Sequence, residues 1–202
     1  MSKLAVLDDL LAHYYQLSYH TQPDILSRLQ DVQAWQKVRM QRTHRAHFAE
    51  KPNQLMAEYF LNRLYGGAEF DALAAQIARL MKYAHKAEKV IPENAIKTGT
   101  LGVELAILAV QLDEQVAIQL LQDYHPHETL TDEMMRLTYL KLDQGQARLK
   151  QLALLDQLGM SLDKYMRSFV VYAAFKMCKG AANKYNFQVM YAFMQDGFLA
   201  MK

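Results

Sequence analysis

From Lys3 to Tyr19 the apolar positions Leu4, Leu7, Leu11, Tyr14 and Leu17 recur at three- and four-residue intervals, which lines up one face of an α-helix. Pro23 then opens a second helix expected over about residues 24–49, because proline disfavours helix at the residue before it and suits a first helical turn. Lys51-Pro52-Asn53 makes the next break, and a third helix carries Met56, Tyr59, Phe60 and Leu64 on one side. It ends at Leu64-Tyr65, where Gly66-Gly67 reads as a left-handed C-terminal cap. A phosphate cradle at these glycines lacks the Lys-Ser/Thr that phosphate loops carry.

Helical spacing continues over about residues 71–85, 93–124, 131–143, 146–167, 168–184 and 187–201, with Thr131 and Asp132-Glu133 suited to capping one of these starts. In the segment 93–124, Val103, Ala106, Ile107, Val110, Ala117, Leu120 and Leu121 line one side, and Leu101, Leu105, Leu108, Leu112 and Val116 another. Glu104, Gln111, Gln115 and Gln122 form its polar stripe. A helix apolar over most of its circumference belongs inside a bundle. The expected architecture is all-α, one domain over residues 1–202, with eight or nine helices around a central helix at Leu101–Leu121. No internal repeat and no strand-period alternation is visible.

Composition changes this picture little. Few prolines and glycines and many straight-chain residues favour helix throughout. A net charge of +2 neither demands nor repels a polyanionic partner. The single cysteine, Cys178, cannot form an intramolecular disulfide; it is expected as a packed small residue in a reducing cytoplasm. The N-terminus has two aspartates in its apolar stretch and does not read as a signal peptide. The most apolar run, Leu101–Leu112, is short of the ~20 residues of a membrane span and contains Glu104, so no span is expected.

Candidate chemistry centres on the second helix. At about 100° per residue, the face of Ile25, Leu29, Val32 and Met40 continues as Gln36, Arg39, Thr43 and His47. Polar groups placed where a core stripe should continue must find hydrogen-bond partners. Trp35, Gln36, Arg39, Thr43 and His47 are therefore the candidate ligand-binding set, with Glu58, Tyr59 and Asn62 of the next helix as lining. The competing reading is a structural network, with Arg39 on helix C-terminal carbonyls or a carboxylate, or a helix end emerging into solvent. Arg42 and Arg45 extend an arginine strip with spacing suited to anions or phosphates, but the strip is short for a nucleic-acid reader, which argues against that partner.

Other chemistry finds less support. His44/His47 and His125-Pro126-His127-Glu128 lack a third ligand at recognisable spacing, and no Glu-x-x-His, nucleophile elbow, phosphate loop or dinucleotide fingerprint occurs. No catalytic residue, metal or cofactor is assigned. Asp8-Asp9, Glu69/Asp71, Asp113-Glu114 and Asp132-Glu133 read as solvated faces or complements to helix dipoles. The Met-, Tyr- and Phe-rich last third reads as core, with an adaptable apolar groove as the alternative.

Trp35-Gln36, Arg39, Arg42-Thr43, then Tyr59-Phe60-Leu61, Leu64-Tyr65-Gly66, Phe70, and finally Gly180-Ala181-Ala182, Phe193 and Gly197-Phe198 form a recurring pattern. With these residues the chain resembles an uncharacterised bacterial all-helical family, departing from it at His44 and Tyr59, where that pattern has tyrosine and phenylalanine. The resemblance implies no activity; it implies that the Trp35–Phe70 region and the C-terminal helices share one fold. The function expected from the sequence is that of a cytoplasmic, non-enzymatic binding or protein-interaction module, whose partner is another protein, a second copy or a small molecule. The alternatives are an enzyme or sensor holding a small anionic or amphipathic ligand near Arg39, and a weak nucleic-acid binder.

Overall fold

The segments with helical periodicity are helices, and two of them are each interrupted once. The computed structural model describes residues 2–65, 68–89 and 91–201. In chain order the helices are α1 (Ala5–Tyr15), α2 (Pro23–Thr43), α3 (Arg45–Ala49), α4 (Gln54–Tyr59), α5 (Ala68–Ala87) and α6 (Glu93–Asp123). The remainder are α7 (Asp132–Leu142), α8 (Gly145–Met166), α9 (Phe169–Met177), α10 (Lys179–Lys184) and α11 (Gln188–Ala200). No strand occurs among the described residues. The Gly66-Gly67 cap lies outside them.

Local chemistry accounts for several boundaries. Pro23 occupies the first turn of α2, where its missing N–H costs nothing. Thr131 Oγ1 accepts from the Met134 N–H at 3.2 Å and caps α7, with Asp132 and Glu133 in the first turn complementing the helix dipole. The α7 helix closes on Asp143 in left-handed backbone (φ 47°), which aspartate tolerates better than most residues.

Three boundaries depart from the periodicity. The first helix stops at Tyr15, and a 3-10 turn at Ser18–His20 places Tyr19 in the core. The expected second helix breaks at His44, so Arg45–Ala49 forms a separate short helix and His47 no longer continues the face of Gln36. After α4 the chain winds as a π-helix over Phe60–Leu64, with the Tyr65 N–H donating to the Phe60 carbonyl at 3.0 Å. An i→i+5 turn holds an extra residue and so redirects the side chain that follows it.

α6 is the central helix, packing against α1, α2, α7 and α8. One core joins Tyr14, Tyr19, Leu29 and Val32 to Val110, Val116, Ala117 and Leu120 of α6 and Met135 of α7. A smaller one joins Leu4, Leu7 and Leu11 to Met81 and Ile96, and Val103 packs against both. The C-terminal half of α6 is the buried half, while Leu101, Leu105 and Leu108 are half-buried. With 31 residues and a mean hydropathy of 1.4 over its most apolar 18-residue window, α6 is long and apolar enough to cross a membrane by length and composition only, as the core helix of a folded domain also can be. It also carries two acids that are bonded inside the fold, described next.

α11 packs against α4 and α5, with Tyr59 of α4 on Phe193, and is tied to the π turn by the Arg63–Asp196 ion pair at 2.7 Å. The aromatic C-terminal third divides: Tyr172, Phe175, Tyr191 and Phe198 pack on one another, whereas Phe169, Val170 and Met177 face outward. Cys178 is exposed rather than packed.

Candidate functional site

The inward stripe of α2 runs Ile25, Leu29, Val32 and ends on Gln36, which is buried. Gln36 Nε2 donates to the Tyr139 hydroxyl on α7, and its Oε1 accepts from Arg39 Nε at 3.1 Å. Both ends of the buried amide are therefore satisfied. Arg39 is exposed as a residue yet anchored, its guanidinium also lying 5.7 Å from the Trp35 ring. Trp35 Nε1 donates to Asp132 Oδ1 at 2.9 Å, and Arg42 donates to Asp132 Oδ2 at 3.1 Å. These two bonds clip α2 to the start of α7. Both side chains of the Arg42–Asp132 pair are exposed, so it contributes little to stability.

Behind Gln36 and Tyr139 lies Asp113 of α6, only 1% exposed. It accepts from the Tyr65 hydroxyl and from Arg148 Nη2 at 2.9 Å, and the Arg148 guanidinium lies 5.7 Å from the Tyr139 ring. Burial pushes the Asp113 carboxyl above the usual carboxylate range, opposed by the Arg148 charge and the Tyr65 hydrogen bond. Burial, followed by the charge of Asp113, drives the Tyr65 phenol well above its usual value. The same two causes push Tyr139 from 10.0 up to about 12, against the pull of Arg148, Arg39 and the Gln36 bond. The phenols are thus held neutral, Tyr65 donating to Asp113 and Tyr139 accepting from Gln36, while one guanidinium faces one carboxyl: a polar network linking α2, α6, α7, α8 and the end of the π turn.

The structure brings Trp35, Gln36 and Arg39 together, and Arg42 joins them through Asp132. The other sequence candidates lie elsewhere. Thr43 is exposed at the end of α2, and Arg45 is exposed on α3. His47 bonds Asn53, whose Nδ2 lies 3.3 Å from its Nδ1 and donates to its carbonyl at 3.1 Å, because the break at His44 carries it away from the α2 face. Glu58 and Asn62 are exposed, and Tyr59 is buried against α11. His44 packs its ring near Phe48, and Glu104 pairs with Lys150 at 2.8 Å.

Sequence reasoning missed Tyr65, Asp113, Tyr139 and Arg148. Asp113-Glu114 is no solvated pair: Glu114 is also buried and accepts from the Tyr19 N–H at 2.8 Å. The one signal was position, since both acids sit in the most apolar helix of the chain. Asp71 is likewise engaged, accepting from the hydroxyls of Tyr14 and Tyr19, the latter at 2.9 Å. Burial above all, and then bonding to Asp71, raises Tyr14; burial is also the main cause of the rise at Tyr19.

These tyrosines predict how the protein fails in alkali. A phenol whose folded pKa is raised keeps its proton where the unfolded chain has lost it. Its stabilisation is full below about pH 10 and is lost as pH rises through the folded value. Phenolate absorbance and helical circular dichroism recorded in one alkaline titration should therefore show the buried tyrosines ionising together with helix loss. Gradual ionisation near pH 10 with the helices intact would contradict the network.

Among the described residues no group of three or more His, Cys, Asp or Glu side chains is arranged to hold a metal ion. Two cavities among the described residues lie away from Arg39. One, of about 10 Å³, lies among Arg63, Phe70, Leu73, Val189 and Phe193. The other, of about 200 Å³, lies among Arg79, Lys82, Tyr83, Tyr185 and Phe187.

In comparisons with known proteins, no curated protein and no solved structure matches the chain. Residues 16–202 match the model of a family described as a domain of unknown function, DUF8198. That match runs from the end of α1 through α11 and so takes in the Asp113 network and every candidate residue on α2. The chain belongs to the DUF8198 family, whose function is unknown.

Proposed function

We propose that the protein is a non-enzymatic protein-interaction module of the bacterial cytoplasm that docks a partner through the outward apolar faces of α8 and α9. The observation that carries this reading is the exposure of large apolar side chains there. Phe169, Val170 and Met177 are 82%, 75% and 85% exposed, and Leu149, Leu152 and Met160 of α8 are exposed as well. On a helical projection, Phe169, Val170, Ala173 and Met177 fall within one stripe of about 100°. Apolar residues in such a row, rather than scattered singly, mark interaction surfaces. The bacterial setting rests on the resemblance, and the cytoplasmic one on the single exposed Cys178, which has no disulfide partner.

A ligand pocket at Arg39 is the competing reading. It is weakened by the mutual bonding of Gln36, Arg39 and Tyr139, which already gives each end of the buried amide a partner within the fold. Native mass spectrometry and light scattering over a concentration series separate the two. The interaction reading expects a clean apo mass and self-association that the double substitution Phe169→Lys with Met177→Lys abolishes. A strict monomer carrying a co-purified small molecule would overturn it in favour of the pocket.

A further inference from the structure

The cleft of about 200 Å³ between α5 and the turn joining α10 to α11 is built from two cations and three aromatic rings: Arg79, Lys82, Tyr83, Tyr185 and Phe187. The two segments that meet there contain no acid. Residues 72–87 hold Arg79, Lys82 and Lys86, and residues 164–195 include Lys176, Lys179 and Lys184. Local positive potential is therefore uncompensated by sequence neighbours, although the whole chain is nearly neutral.

The cleft is formed by the fold and not by two loose surfaces. Gln76 Oε1 of α5 accepts from the Met190 N–H of α11 at 2.9 Å. The Phe187 N–H donates to the Ala182 carbonyl at 2.7 Å, and Asn186 takes left-handed backbone (φ 58°), a conformation asparagine tolerates. The Asn186 carbonyl accepts from Arg79, whose guanidinium lies 4.9 Å from the Phe187 ring. Arg79 is thus fixed at one wall with donors to spare. Lys82, three residues along the same helix, is exposed, and no salt bridge among the described residues includes it. Tyr83 and Tyr185 are both more than half exposed, and the Lys184 ammonium lies 5.7 Å from the Tyr185 ring.

Solvent-facing rings beside cations that have no carboxylate partner among the described residues match one ligand chemistry: a planar aromatic group carrying a phosphate. The geometry points to a nucleotide-binding cleft, with a base stacked on Tyr83 or Tyr185 and its phosphate held by Lys82 and the remaining Arg79 donors. Phosphate alone would leave the rings unused, and an apolar ligand would leave two charges unmatched. The volume is below the roughly 300–1,000 Å³ of sites that enclose a small molecule. It suits one nucleotide unit lying open on the surface, either a free mononucleotide or one unit of a single strand.

The test titrates the full chain, at low salt, with adenosine monophosphate and with a fluorescent single-stranded hexanucleotide. The expected result is saturable binding of the hexanucleotide, weakened about tenfold by Tyr185→Ala and about tenfold by Lys82→Glu. The paired substitution Arg42→Ala with Arg45→Ala, on the arginine strip of α2 and α3, should leave it unchanged. Equal affinity for the monophosphate assigns the cleft to a free nucleotide, and a tighter, steeply salt-dependent hexanucleotide assigns it to a strand. Two results would overturn the proposal: no binding of either probe, or binding that falls in the α2–α3 variant and persists in the cleft variants. Both cleft residues are exposed, so unaltered circular dichroism is the control for folding.

Discussion

Replacing Arg28 with alanine is expected to lower the unfolding free energy by about 3–5 kcal/mol through the acceptors it leaves unpaired, among the largest effects of any single substitution in this chain. The side chain is only 2% exposed, and it serves the backbone that leaves α6. Nη1 donates to the Glu128 carbonyl at 2.9 Å, and Nη2 to the carbonyls of His125, at 3.0 Å, and Pro126. The carbonyls past a helix end have no intrahelical donors, and the helix dipole makes that end favourable for a cation. Alanine would leave three acceptors facing the space of a removed guanidinium. The Asp31 contact matters less, because Asp31 is exposed and the pair is 3.3 Å long. Lysine should recover only part of the loss, since one ammonium on a flexible stem cannot reproduce a planar fork that spans separate carbonyls. Urea unfolding followed by circular dichroism measures this, and a loss under about 1 kcal/mol would remove Arg28 from its assigned role.

The second large effect belongs to Arg148. Replacing it with methionine leaves Asp113 buried without its counter-charge, and the expected cost near neutral pH is again about 3–5 kcal/mol. The pH dependence distinguishes this cause from lost packing. Burial already raises the Asp113 carboxyl above its usual 3.8, so the folded state holds the proton more tightly than the unfolded chain does. The stability tied to the protonated form is full below about pH 3.8 and is lost as pH rises through the raised folded value. Without Arg148 that value rises further. The gap between variant and parent should therefore widen from acid to neutral pH, and a gap constant with pH would mean that only packing was lost. Asp113→Asn should cost less, because the neutral amide still accepts from Tyr65. Combining it with Arg148→Met should cost less than the sum of the two, the mark of residues sharing one interaction.

Neither residue announces itself in the primary structure. Arg28 reads as one more polar position beside Leu29, and the sequence offers helix-end carbonyls only as one competing role for Arg39. Both arginines are on α2, but Arg28 lies a helical turn before Val32, where the stripe is deepest in the core, and Arg39 lies beyond its end. Asp113-Glu114 resembled the acid pairs that line solvated helix faces. Its burial follows from α8 and the 3-10 turn at Tyr19 closing over that part of α6, which no local pattern encodes. Tyr65 was legible as a helix end, yet its reach to Asp113 depends on the extra residue in the π turn. Periodicity at 3.6 residues per turn assumes that register never changes, so it cannot anticipate such a shift.

What the amino-acid order determined by itself is the one-dimensional part of this protein. Apolar spacing set the helices and made α6 central; Pro23 and Thr131 set helix starts, and the end of the apolar stripe marked Gln36 as a buried polar position. These are consequences of contacts between residues a few positions apart. The tertiary structure alone decided which polar groups meet: Arg28 with the carbonyls past α6, Asp113 with Tyr65 and Arg148, and Arg79 with the turn before α11. Those pairs are 35 to 107 positions apart in the chain. Their partners are chosen by how whole helices pack to bury apolar area, and only that packing strips the water that would otherwise satisfy each group alone.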